Sequence, residues 1–159
     1  RSLQIKPNIK GIILSGGPLN VYQLKNNLFD KKILKLKIPI LGICAGHQFM
    51  ADFYGGNSAE APKPEFGEAK ITLVDTGGKL FQDTPQSQKV WESHNDEVVN
   101  VPSGFKITAY SDSCKVQAME NDKSTRFGLQ FHPEVDHSEY GQKIFSNFVQ
   151  VCLSAKKVV

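Results

Sequence analysis

The sequence is short of cysteine, of long apolar runs and of excess charge, and each shortage excludes a class of protein. Its three cysteines, Cys44, Cys114 and Cys152, are too few and too widely spaced for a disulfide framework or a zinc ribbon. A reduced, cytoplasmic setting is therefore the default expectation. No apolar run is long enough to predict a transmembrane helix. A formal net charge of +3 is too small to indicate a nucleic-acid partner.

The order of apolar runs and turns in the first third of the chain predicts an α/β fold. Residues 11–15 form a continuous apolar run, typical of a buried parallel strand, and residues 38–43 form a second. Between these runs, Val21, Leu24 and Leu28 recur at helical spacing. This pattern predicts a flavodoxin-like fold, with an open, mostly parallel central sheet flanked by helices.

The remainder of the chain predicts a smaller antiparallel portion and a final helix. Residues 57–66 are rich in proline and small residues, which predicts a surface loop. Short β-type runs follow at 69–74, 89–93, 105–110, 116–120 and 126–131. The final helix is predicted over residues 136–156, with Asp136 and Glu139 at the spacing of a capping box. No repeat or linker divides the chain, so we expect a single domain over residues 1–159.

The run Gly42-Ile43-Cys44-Ala45-Gly46 carries the strongest chemical signal. It is the thiol counterpart of the Gly-x-Ser-x-Gly turn that presents a nucleophile between a strand and a helix. Glycine suits both flanking positions because backbone segments approach closely at such a turn. The cysteine would lie at a helix N-terminus, where free N–H groups and the helix dipole stabilise a thiolate. The alternative interpretation is a buried structural cysteine at the end of a strand.

A cysteine nucleophile needs a base and a group that orients the base. His132 and Glu134 are the candidates, because residues i and i+2 of an extended segment point the same way. Pro133 between them restricts how the two side chains are aimed. We therefore predict a triad of Cys44, His132 and Glu134, since geometry and not sequence order defines a triad. The alternative for His132 is a half-buried histidine in a strand-end turn.

The other histidines are weaker candidates. His47 is not expected to be the base, because successive helix residues point about 100° apart. A zinc site formed by Cys44, His47, His94 and His132 is also not expected, because the usual paired ligand spacings are absent. The sequence therefore predicts no metal site.

Several motifs resemble one known family. Leu41–Gln48, together with Gln130–Glu134, resembles the class I (triad) glutamine amidotransferase domain, and Ser15-Gly16-Gly17-Pro18 also matches that family. The segments Trp91–Val98 and His132–Gly141 are similar to the glutaminase part of GMP synthetases. The resemblance implies hydrolysis of glutamine to glutamate and ammonia.

The resemblance also implies a role for individual residues. Cys44 would attack the side-chain amide of glutamine, while His132, oriented by Glu134, would protonate the departing ammonia and then activate water. Backbone N–H groups of Gly17 and Ala45 would form the oxyanion hole. The other expected binding residues are Gly16, Gln48 and a loop of Ser93, His94, Asn95 and Asp96.

The partner is also implied by the resemblance. The chain lacks a Ser-Gly-Gly-x-Asp-Ser pyrophosphatase loop, so a separate ATP-pyrophosphatase subunit or domain is expected as the partner. This partner would activate XMP with ATP and Mg²⁺, and the ammonia would convert the activated XMP to GMP. No cofactor is expected in this chain, and neither nucleic acid nor a membrane is an expected partner. The family's initial strand–helix–strand segment is not recognisable, so the domain is expected to be N-terminally incomplete.

Two other functions remain open from the sequence. One is the glutaminase of another amidotransferase, such as anthranilate or aminodeoxychorismate synthase. The other is a non-catalytic, DJ-1-like domain in which Cys44, at the turn between strand and helix, senses oxidants or mediates binding.

Overall fold

The computed structural model describes residues 5–16 and 29–155. The helix expected around Val21, Leu24 and Leu28, and also Gly17, lie outside the described residues. The strands are β1 (Ile12–Gly16), β2 (Ile40–Cys44), β3 (Asn57–Leu73), β4 (Ser87–Asn100), β5 (Phe105–Tyr110), β6 (Ala118–Asn121) and β7 (Arg126–Leu129). The α-helices are α1 (Ala45–Phe53) and α2 (Gly141–Ser154), and a short 3-10 helix covers Lys31–Lys35.

The described strands form one seven-stranded sheet in the order β1-β2-β7-β6-β5-β3-β4. Strand β2 pairs in parallel with β1 and with β7, and these three strands are the parallel part. The four other pairings are antiparallel. The α/β class is thus confirmed, but antiparallel pairings outnumber parallel ones in the described part. One reason is that the connections from β5 to β6 (residues 111–117) and from β6 to β7 (residues 122–125) are too short for the crossover that parallel neighbours need.

The segment expected to be a loop, residues 57–66, is instead the first part of β3. It pairs with β4, and the register shifts between Glu60 and Glu65. Pro62 and Pro64 lie in that irregular stretch, where a residue without an N–H group is tolerated because the ladder is interrupted. The expected loop of Ser93, His94, Asn95 and Asp96 is likewise part of a strand, β4. Of this long β3–β4 ribbon, the sequence analysis predicted only the runs 69–74 and 89–93.

The final helix begins five residues later than expected, at Gly141. A Cβ atom at this position would overlap the carbonyl oxygen of Pro133, so glycine is required there. The N-cap is Tyr140, without a side-chain cap, so the predicted capping box is wrong. Glu139 instead accepts a hydrogen bond from the backbone N–H of Lys89 at 2.6 Å.

The sheet is covered on both faces where it holds the predicted nucleophile. Leu41 of β2 and Phe127 of β7 pack in one buried cluster with Phe148 of α2. Ile40 of β2 packs in a second cluster with Met50 of α1. Strand β2 is buried at all five positions, which explains its continuous apolar run. No helix within residues 5–16 and 29–155 is long and apolar enough to cross a membrane.

Candidate active site

Cys44 lies at the sharp turn between β2 and α1. Its backbone has φ 52° and ψ −104°, an uncommon conformation for a residue with a Cβ, which costs about 1–3 kcal/mol. A Cβ at Gly42 would lie 2.6 Å from the backbone of Gly46, and a Cβ at Gly46 would overlap the carbonyl oxygen of Leu14. Glycine at both positions is therefore what allows strand and helix to meet. The strand–turn–helix arrangement expected from the motif is present.

The sulfur of Cys44 is enclosed by two other strand segments. The residue is 1% exposed. Its Sγ lies 3.5 Å from the carbonyl oxygen of Ser93 in β4. Nε2 of Gln130, just after β7, lies 3.9 Å from the same sulfur. The thiol is thus at the carboxyl end of the parallel strands, where α/β sheets bind their ligands.

The His132 ring lies between Glu134 and Cys44. Its Nδ1 is 2.5 Å from Oε1 of Glu134, and its Nε2 has no hydrogen-bond partner of good geometry within residues 5–16 and 29–155. The interaction with Cys44 raises the pKa of His132 most, and the interaction with Glu134 raises it further. Burial lowers this pKa, but the two interactions outweigh burial and bring it to about 10. Burial raises the pKa of Glu134, but its interactions with His132 outweigh burial and lower it. The structure therefore pairs His132 with Glu134, and the effect of Cys44 on the pKa of His132 indicates that the thiol lies near the ring.

The backbone at His132 is fixed from two sides. Its N–H donates to the carbonyl oxygen of Trp91 in β4 at 2.9 Å. Its own carbonyl oxygen accepts from Oγ of Ser138 at 2.7 Å. These two bonds fix the backbone that carries the imidazole, so the ring is positioned before any substrate arrives.

The expected oxyanion hole is only partly described. Gly16 is directly opposite Cys44 in the β1–β2 register. Ala45 is the first residue of α1, and the N–H groups of a first helical turn have no partner within the helix. Both residues are therefore beside the nucleophile, while Gly17 falls in the undescribed range 17–28.

Gln48 is fully buried and engaged with protein. Its Nε2 donates to the carbonyl oxygen of Asp96 at 2.8 Å and lies 3.3 Å from Oε1 of Gln130. Its Oε1 has no hydrogen-bond partner within the described part of the chain. Only this oxygen is left for a ligand, so the amide nitrogen of Gln48 serves to join α1 to β4.

The four expected binding residues of β4 alternate between half-buried and buried positions. Ser93 and Asn95 are half-buried, whereas His94 and Asp96 are buried. The ring of His94 is occupied: Nδ1 is 2.9 Å from the carbonyl oxygen of Asp96, and Nε2 contacts two glutamates. Burial lowers the pKa of His94, but Glu65 and Glu92 outweigh burial and raise it to about 10. The His94 side chain is therefore not open to a substrate.

His47 is buried behind the nucleophile, as its position on α1 requires. A Cβ at Gly128 would overlap its Nδ1, so the ring packs directly on the backbone of β7. Burial is the main cause that lowers the pKa of His47 to about 3. A neutral ring enclosed in this way is not the catalytic base, in agreement with the sequence analysis.

Sequence reasoning missed Gln130 as a site residue. It is fully buried and contacts both Cys44 and Gln48. The available signal was its place two residues before His132, because alternate residues of an extended segment share a side.

Comparison with known proteins agrees with this geometry. The family model described as "Glutamine amidotransferase class-I" matches residues 1–152. A protein of Methanocaldococcus jannaschii, named as one subunit of a glutamine-hydrolysing GMP synthase, is 45% identical over 150 residues, which are 94% of this chain and 78% of that protein. A "GMP synthase [glutamine-hydrolyzing]" of Macrococcus caseolyticus is 46% identical over 148 residues, which cover 92% of this chain but only 28% of that protein.

A solved structure is similar over most of the chain. The crystal structure of a protein from Thermoplasma acidophilum, described as a GMP synthase subunit, superposes with a TM-score of 0.85 at 38% identity, covering 93% of this chain and 75% of that one. The agreement of the family model, the relatives and the fold shows that the chain belongs to the class I glutamine amidotransferase family.

Proposed function

We propose that this chain hydrolyses glutamine to glutamate and ammonia, and that a synthetase uses the ammonia to convert XMP to GMP. The observation that carries the proposal is the position of His132, with one ring nitrogen 2.5 Å from Glu134 and the other left for the strained Cys44. A thiol, an imidazole and a carboxylate in this order form a nucleophilic triad.

The reaction proceeds in two halves. The Cys44 thiol gives its proton to His132 and its sulfur attacks the side-chain amide carbon of glutamine. His132 passes that proton to the departing ammonia, and the γ-glutamyl thioester remains. His132 then takes a proton from water, whose oxygen attacks the thioester and releases glutamate and the free thiol. The oxyanion of each tetrahedral intermediate would be stabilised by the N–H of Ala45, at about 3–4 kcal/mol per donor.

The proposed partner is an ATP-pyrophosphatase that activates XMP with ATP and Mg²⁺, so this chain needs no cofactor of its own. The names of the relatives support this partner. The relative from Methanocaldococcus jannaschii is named as a subunit, whereas the longer Macrococcus caseolyticus protein extends well beyond the matched region. We place the reaction in the cytoplasm, because a free thiol nucleophile is kept reduced there.

A glutamine analogue with a diazo-ketone in place of the amide tests the nucleophile. We expect it to alkylate Cys44 of the chain mixed with the XMP-aminating partner, and peptide mass spectrometry locates the label. Cys44→Ser should abolish both labelling and glutaminase activity, whereas the control Cys152→Ala should retain both. Failure to label Cys44 in the presence of the partner would favour a redox-sensing or binding role.

A second assay tests the acceptor. The same mixture, supplied with glutamine, XMP, ATP and Mg²⁺, should form GMP, and Cys44→Ser should form it only when ammonia is added. Glutamine-dependent amination of chorismate by a chorismate-using partner, with no GMP formed from XMP, would assign the chain to another amidotransferase.

A further inference from the structure

Three side chains with metal-ligating atoms meet on the β3–β4 ribbon, outside the triad. Glu65 of β3 is directly opposite His94 of β4, and Glu92 precedes His94 by two residues on the same buried side of β4. Nε2 of His94 lies 3.2 Å from Oε1 of Glu65 and 3.3 Å from Oε2 of Glu92. One atom from each residue lies within 4.8 Å of the others.

The orientation of the histidine is the one that a metal ligand needs. Nδ1 of His94 is 2.9 Å from the carbonyl oxygen of Asp96, and a carbonyl can only accept, so Nδ1 carries a proton. Nε2 is therefore the ring nitrogen that gives up its proton when a metal ion binds, and its lone pair then faces two carboxylates. Metal-bound histidines characteristically donate their second N–H to a carbonyl or carboxylate in this way.

The two distances from Nε2 also fit an ion between the three side chains. Bonds of about 2.0–2.2 Å in a tetrahedral zinc site place neighbouring ligand atoms about 3.3 Å apart. The two measured distances from Nε2, 3.2 Å and 3.3 Å, agree with that separation.

The charge of the cluster is unbalanced. Glu92 is 1% exposed, its Oε1 has no hydrogen-bond partner among residues 5–16 and 29–155, and its Oε2 faces Nε2 of His94 at 3.3 Å. Glu65 is better supported, since Oγ of Ser113 donates to its Oε2 at 2.8 Å. A buried carboxylate without hydrogen bonds is costly unless a cation is beside it. A protonated His94 balances only one of the two carboxylates, whereas a divalent cation bound in place of that proton balances both.

We propose that Glu65, Glu92 and His94 bind a divalent transition-metal ion of the zinc type, with the fourth ligand supplied by solvent. The side chain of Glu65 is 11% exposed and marks the route of entry. The ion would join β3 to β4 next to Ser93, whose carbonyl oxygen contacts the Cys44 sulfur. This proposal does not depend on the proposed function.

The sequence analysis predicted no metal site because the ligands do not form a recognisable spacing. Glu65 and His94 are adjacent only through the β3–β4 pairing, and residues 57–66 were expected to be a loop.

Metal binding is tested on the full chain after treatment with a chelator and dialysis against zinc. We expect one zinc ion per chain by elemental mass spectrometry, both in the wild type and in Cys44→Ser, which removes the thiol as a competing ligand. Glu92→Gln keeps the shape of the side chain and should weaken zinc binding at least about tenfold. The matched control is Glu68→Gln, an exposed carboxylate of β3 that pairs with Lys89 and should bind zinc like the wild type.

Two further measurements locate the ion. Cobalt substituted for zinc should give visible absorption without a thiolate charge-transfer band, and zinc should raise the thermal midpoint of the wild type but not of Glu92→Gln. If Glu92→Gln does not fold, Glu65→Gln replaces it, because that side chain reaches the surface. The proposal is overturned if zinc is not bound stoichiometrically, if the variant binds it as well as the wild type, or if Cys44→Ser loses it. In those cases Nε2 carries a proton and the cluster is an ion triad.

Discussion

His47 makes the fold sensitive to acid, and the size of the effect follows from its surroundings. The ring is completely buried between α1 and β7, and neither ring nitrogen makes a hydrogen bond of good geometry within the described part of the chain. Burial disfavours the charged ring, and the backbone of Val116 opposes this effect only in part, so the pKa of His47 falls to about 3. In the unfolded chain the same group titrates at its ordinary value of 6.5.

The sign and the magnitude of the pH effect on stability follow from the difference between the folded and the unfolded pKa of His47. As the pH falls below 6.5, His47 becomes protonated in the unfolded chain, whereas in the folded chain it stays neutral down to about pH 3. Protons therefore bind preferentially to the unfolded chain, and the free energy of unfolding falls as the pH falls. Each pH unit in this window costs about 1.36 kcal/mol. Between pH 7 and pH 5 the loss due to His47 is therefore about 2 kcal/mol. This loss requires only that the folded pKa lies below 5.

Urea unfolding at pH 7 and pH 5 measures the loss. His47→Gln and His47→Asn cannot titrate, so each should lose about 2 kcal/mol less stability than the wild type on going from pH 7 to pH 5. The remaining titratable groups are shared by all three chains and cancel in the comparison. An equal loss in the wild type and both variants would refute the reasoning, because His47 would then accept a proton in the folded chain.

Three other substitutions probe the site and its support. Glu134→Gln should lower the kcat for glutamine hydrolysis about 100-fold or more, since His132 loses the carboxylate that orients it, and steady-state assays with the partner measure this. Gly46→Ala should lower the free energy of unfolding by about 1–3 kcal/mol in urea titrations, because the new Cβ overlaps the backbone of Leu14. Arg126→Lys should cost about 2 kcal/mol or more in the same assay, because the buried guanidinium donates to several backbone carbonyls that one ammonium cannot all reach.

The parts of the fold that were predictable are those that depend on local sequence. The apolar run of β2 is buried at every position, and the glycines at 42 and 46 are required by contacts within a few residues or with the adjacent strand. The i, i+2 spacing of His132 and Glu134 likewise needs only an extended backbone to bring the two side chains together. These signals suffice to place a nucleophile and its base.

The unpredicted parts depend on pairing between distant segments. Two prolines made residues 57–66 look like a loop, yet the strand accommodates them where its register with β4 shifts. Asp136 and Glu139 have the spacing of a helix cap, but Glu139 instead accepts a hydrogen bond from the backbone N–H of Lys89 in β4. The amide nitrogen of Gln48 is likewise committed to Asp96, a partner 48 residues away that no local pattern indicates.

Strand β4 sets the geometry of the site, and it does so mainly through its backbone. The carbonyl oxygen of Ser93 contacts the Cys44 sulfur, that of Trp91 accepts from the N–H of His132, and that of Asp96 accepts from Gln48. Nucleophile, base and helix α1 are thus all positioned by one strand. Because these contacts use backbone atoms, most side-chain changes on β4 leave them intact, whereas a one-residue slip of β4 would displace all of them together. The long pairing with β3 resists that slip, so the ribbon that sequence analysis predicted only in part is what keeps the site in register.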